Sequence, residues 1–209
     1  MDVHPPHEPI HTWRDFFIHL ITITVGLLIA LSLEGTVEFA HRRHLLHQAE
    51  TTLHDELKDN QATLAEDEKE LEKEKKQIED ALRSITDLQN HPNPDDQLNL
   101  HWEWNSMQVA AWDTARNTGA VALMPYESAQ RYSQIYSQQV LVNEQAFAYV
   151  RGIYRTDSVL QGGRKLSNLK PSELDTFTAN LQQLLVDLKY LEDLSESLHR
   201  TYDRTSKEF

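Results

Sequence analysis

From Phe16 to Leu33 the chain runs for 18 residues without a formal charge, bounded by Asp15 and Glu34. At about 1.5 Å per residue a helix of that length covers roughly 27 Å, close to the hydrocarbon thickness of a bilayer. The pattern predicts one transmembrane helix over 15–36, after a short tail over 1–14. A cleaved signal peptide is the competing expectation. Yet only one arginine precedes Phe16, and Leu33-Glu34-Gly35 is a poor small-residue cleavage site, so an uncleaved anchor is expected.

No turn residue pair interrupts the chain beyond the span, and a long acidic helix is predicted over 37–90. Leu57, Leu64, Leu71, Ile78 and Ile85 recur every seven residues. A second seam reads Leu46, Leu53, Asn60, Asp67, Glu74, Ala81 and Leu88, turning polar in the middle. A two-stranded coiled coil needs both seams apolar, so only a narrow buried stripe is expected near the helix centre. Pairs such as Glu72 with Lys76 and Glu70 with Lys73 suit a solvated face. "HPNPDDQ" then ends the helix with two prolines.

The stretch "LHWEWNSMQVAAWDTARNTGAVALM" is aromatic and apolar and is expected to stop near Gly119, with Pro125 opening another helix over about 126–161. That helix carries Tyr132, Ile135, Tyr136, Val140, Phe147, Val150 and Tyr154, and Gly162-Gly163 ends it. The last helix, from Pro171, has the cleanest stripe: Leu174, Phe177, Leu181, Leu184, Leu188, Leu191, Ser195, Leu198 and Tyr202. The predicted fold is all-α. A single N-terminal transmembrane helix continues into a long helix, and an up-and-down antiparallel helical bundle over 91–209 packs back on it. An unbroken first helix from about Trp13 to Gln89 would approach 115 Å and hold the bundle clear of the bilayer.

Within the span, Thr22, Gly26 and Ala30 share one helix face, with His19 above and Glu34 and Glu38 below. Small residues let backbones approach closely in lipid, and this face is the expected helix-packing interface. Orientation is nearly a tie by positive charge, with Arg14 on one side and Arg42 and Arg43 on the other.

The stretch "VGLLIALSLEGTVEFAHRRHLLHQAETTLHDELKDNQATL" resembles the start of a group of bacterial single-span membrane proteins of unknown function, of the DUF6090 kind. The matching residues are Gly26, Leu28, Ile29, Ala30, Leu31, Glu56, Leu57 and Asn60, over about 45 residues. Ser32-Leu33-Glu34-Gly35 departs from that group's Asn/Trp-rich exit. The resemblance implies an inner-membrane location with the C-terminal domain in the periplasm, and it implies no activity.

The formal charge of −13 is concentrated between Leu45 and Asp96, where 15 acidic and 6 basic residues give −9. That balance argues against nucleic acid, whose binding needs a basic footprint. The absence of cysteine excludes disulfides and thiolate chemistry. Phosphate-binding glycine loops and nucleophile elbows are missing as well. Eight of the eleven histidines fall in the first 54 residues. His41, His44 and His47 are weak metal candidates beside the alternative of interfacial anchors, and His4 and His7 precede the span. Trp102, Trp104, Trp112, Tyr126, Tyr132 and Tyr136 form a candidate ligand pocket, or simply core. No cofactor is called for. The expected function is that of a non-enzymatic membrane-anchored structural or accessory subunit. Its partners would be the lipid bilayer and either a homo-oligomer or another membrane protein. The alternative is an extracytoplasmic helical bundle binding a ligand, a metal or haem.

Overall fold

The computed structural model describes residues 13–90 (side chains to 87), 102–162 and 164–205. Its elements in order are α1 (Trp13–Asn90), α2 (Ala110–Asn117), α3 (Tyr126–Asp157) and α4 (Pro171–Thr205), with short 3-10 turns between them. The described residues contain no strand, and the fold is all-α. His4, His7 and the tail over 1–12 lie outside the described residues. The chain divides into two units, residues 1–48 and 49–209.

In the first unit every residue from Trp13 to His44 is exposed. An 18-residue window there has a mean hydropathy of 2.4, so this part of α1 is long and apolar enough to cross a membrane. Its hydroxyls do not need a partner elsewhere. Thr22, Thr24, Ser32 and Thr36 each donate to the carbonyl four residues back, at 2.7–2.8 Å. His19 does the same from Nδ1 to the Asp15 carbonyl, at 2.8 Å.

The second unit is built on α1 from Ala49, α3 and α4. Glu56 and Glu74 of α1 meet Tyr136 and Tyr149 of α3, whereas Glu68 and Lys75 meet His199 and Glu192 of α4. Thus α3 runs parallel to this part of α1 and α4 runs antiparallel to both. The α4 stripe is buried from Phe177 to Tyr202 in alternating steps of four and three, the spacing that keeps one face on a neighbouring helix. Each fully buried leucine there contributes about 1.5–3 kcal/mol. Pro171 stands in the first turn of α4, and Glu173 reaches back to accept the Lys170 backbone N–H at 2.8 Å, the glutamate half of a capping box. Arg164 grips the same carboxylate with two guanidinium nitrogens, and together these donors hold Glu173 down to about 2. The helices α3 and α4 come close at Gly152, where an added Cβ would lie 2.8 Å from Leu184 Cδ2.

Three expectations change. The α3 stripe is rotated: Tyr132, Ile135, Tyr136, Gln139, Val142, Ala146, Tyr149, Ile153 and Thr156 are buried, while Val140, Phe147 and Tyr154 are exposed. The region before Gly119 is helical only over Ala110–Asn117, and residues 102–109 run extended. Among the described residues, the leg of the bundle between α1 and α3 is therefore largely not a helix. Finally, the second seam of α1 is buried despite its polar middle, with Asn60, Asp67 and Glu74 all under 5% exposed. Both seams face the core, and the narrow-stripe expectation fails because the polar residues of the second seam bond the backbone of the segment packed on it.

Candidate functional site

An extended segment packed against helices has peptide groups that no helix or sheet ladder satisfies, so side chains must supply the partners. The polar seam of α1 does this. Glu74 accepts the Glu103 N–H at 2.9 Å, and Asp67 Oδ1 accepts the Asn105 N–H at 3.0 Å and its side-chain amide at 3.3 Å. Asn60 makes a two-way pair with Gln108, its Oδ1 accepting the N–H and its Nδ2 donating to the carbonyl, both at 2.7 Å. Seven helical residues rise about 10.5 Å and three extended residues span about 10 Å, so Asp67 and Asn60 match Asn105 and Gln108 in step.

From the opposite flank, Asn143 of α3 pairs with Met107 in the same two-way fashion, at 3.3 and 3.1 Å. Successive peptide groups of an extended chain point to opposite sides, which lets two asparagines take consecutive residues. The alternation slips by one between Asn105 and Met107, so that Met107 becomes the buried position. Glu56 finishes the ladder: one oxygen accepts the Ala111 N–H and the other the Tyr136 hydroxyl, each at 2.9 Å. No side chain of its own neighbourhood caps α2, and Glu56 takes that role from α1. Arg116 and Thr114 carbonyls then close its far end, where Gly119 adopts a left-handed φ of 79°.

These carboxylates sit in an apolar setting. Burial pushes Asp67 up from 3.8 to about 6, against the lowering effect of its Asn105 bonds and with Glu103 and Glu66 adding repulsion. Its Oδ2 is buried without a hydrogen-bond partner. Burial likewise raises the Tyr136 and Tyr149 hydroxyls strongly, helped by Glu56 and Glu74.

The six aromatics named as candidate pocket or core are dispersed. Trp112 stacks on Tyr136 with ring centroids 5.4 Å apart and planes within 9°. Trp102 meets Tyr154 edge to face. Trp104 sits with Trp102 against Leu71, Ala146 and Tyr149, with no space for a water between them. Tyr126 is exposed.

Tyr132 alone borders a real cavity of about 260 Å³. Leu57, Ile135, Tyr132 and Tyr202 make its apolar walls, together with the exposed His54 and Lys58, the half-buried Gln61 and the buried Thr205. Of this set only Tyr132 belongs to the candidate pocket read from sequence, whereas Leu57, Ile135 and Tyr202 belong to the expected helix stripes. The signal that names the rest is the meeting of three helix stripes, which requires the fold.

His41, His44 and His47 are exposed on α1, and among the described residues no three His, Asp or Glu side chains come together to hold a metal ion. The proposed packing face is exposed at His19, Thr22, Gly26, Ala30, Glu34 and Glu38, and Glu38 pairs with Arg42 at 2.6 Å. A Cβ built on Gly26 meets nothing within 4 Å. A scan of family models, a search of curated proteins and a search of solved structures each return no match to this chain.

Proposed function

We propose that this chain is a non-enzymatic, single-pass membrane protein of a bacterial inner membrane, its C-terminal bundle periplasmic, that serves as a structural or accessory subunit. It acts through self-association or association with a membrane complex. The carrying observation is the uncharged stretch Phe16–Leu33, whose apolar side chains have nothing to cover them within their own unit. The neighbour is assigned to the Thr22/Gly26/Ala30 face. Nothing nearby in the chain requires a glycine at 26, which suits close approach of a second helix. The absence of catalysis is supported by the bundle's buried acids, since Glu56, Asp67 and Glu74 are committed to backbone amides.

The test is the mass of the full chain in mild detergent, together with mass spectrometry of whatever co-purifies. Gly26→Leu is expected to lower the oligomer mass or release the partner while the protein still resists extraction from membranes by alkaline carbonate. A monomeric, partner-free parent, or an unchanged complex in the variant, would sink the proposal.

A further inference from the structure

Beyond the anchoring role, we propose that the cavity between α1, α3 and α4 is a binding site for a small amphipathic carboxylate, its ring or short acyl chain against Leu57, Ile135, Tyr132 and Tyr202 and its anionic end at Lys58 and His54. Three observations converge on it. The first is volume: about 260 Å³ stays open beside Ile135, Tyr132 and Tyr202, which are themselves at most 4% exposed. That is close to the lower limit of small-molecule pockets and sets the size of the occupant.

The second is the distribution of polarity. The inner walls are aliphatic and aromatic, and Tyr202 contributes its ring because its hydroxyl already serves Gln139 at 2.5 Å and Met107 sulfur at 3.8 Å. The exposed groups of the lining are His54 and Lys58, both on α1, as an amphiphile with a single headgroup requires.

The third is charge. Lys58 is the one Lys or Arg between Leu45 and Glu68, a stretch holding seven carboxylates, and it lies one turn from His54 on the same face. Among the described residues Lys58 forms no ion pair, and none of the lining residues is acidic. Of the carboxylates around it, Asp55 and Asp59 face solvent, Glu56 is taken by Ala111 and Tyr136, and Glu50 acts on the Tyr132 hydroxyl, which burial raises. A cation without an ion pair in the lining of a largely apolar cavity is a complement to a ligand anion.

The experiment uses the full chain in phosphatidylcholine nanodiscs, titrated calorimetrically with 3-phenylpropionate, octanoate and the neutral 3-phenylpropan-1-ol. One-site saturation by an acid is expected, with the alcohol weaker by about tenfold or more, as loss of a charged hydrogen bond implies. Tighter octanoate would assign an acyl, lipid-derived source, and tighter 3-phenylpropionate an aromatic one. Lys58→Gln, at an exposed position, should weaken acid binding by about tenfold. Gln61→Trp, which fills the cavity, should abolish binding while far-UV circular dichroism stays helical. Absence of one-site saturation by both acids, equal affinity for the alcohol, or unchanged affinity in Lys58→Gln would overturn the proposal. The readout is independent of oligomer mass, so its failure is distinct from failure of the anchoring role.

Discussion

The span and the bundle spend the same kind of bond in opposite ways. In residues 13–48, hydroxyls and the His19 ring fold back onto carbonyls four residues earlier, and the helix satisfies itself. In the bundle, Glu56, Asn60, Asp67 and Glu74 reach out to the backbone of a segment 29 to 55 positions away. A helix that closes its polar groups on itself presents only shape to a neighbour. A helix that exports them demands one particular neighbour in one register.

The contrast breaks most readily at Asp67. Its folded value of about 6 against 3.8 means that the folded state holds the proton more tightly, so its contribution to stability is fully present below about pH 4 and is lost as pH rises through 6. The difference amounts to about 3 kcal/mol. Asp67→Asn keeps an acceptor for Asn105 and cannot ionise. The unfolding free energy of the parent relative to this variant, measured by urea titration in mild detergent, should fall by about that amount between pH 4 and pH 8. A pH-independent difference would show that Asp67 is not a buried carboxyl.

Asn60→Ala comes next. It strands both polar groups of Gln108, and a loss of about 2 kcal/mol at pH 7 is expected in the same assay. A change below about 0.5 kcal/mol, the level of an ordinary surface substitution, would mean that water replaces the clasp without cost. The smallest effect belongs to the span. Thr22→Val removes a hydroxyl that serves only its own helix, so the oligomer mass in detergent should stay as it is. A shift in mass would show that this hydroxyl bonds a neighbour, and the contrast between the two regions would fail.

The sequence carried the long-range plan where periodicity and punctuation agree. The α4 stripe is buried at the positions that its spacing marks from Phe177 onward, and α1 ends at Asn90, immediately before the two prolines. It misled where apolar content and burial part company. Val140, Phe147 and Tyr154 repeat every seven residues and draw the eye, while the true α3 seam runs through Gln139, Ala146 and Thr156. The extended segment left a trace in Trp102, Glu103 and Trp104, whose half-buried and exposed positions alternate with period two as in an extended chain. The polar interruption of the α1 seam was the second trace. Asn60, Asp67 and Glu74 mark where a backbone must be fed, and only the fold identifies which backbone.

The clasps also have a mechanical meaning. Because the extended segment lies antiparallel along α1, a pull on α1 along its own axis shears the bonds of Glu56, Asn60, Asp67 and Glu74 together. Bonds arranged in this way share a load, whereas a peeling geometry would break them one after another. For a helix whose other end is apolar enough to sit in a membrane, the ladder is a joint suited to tension.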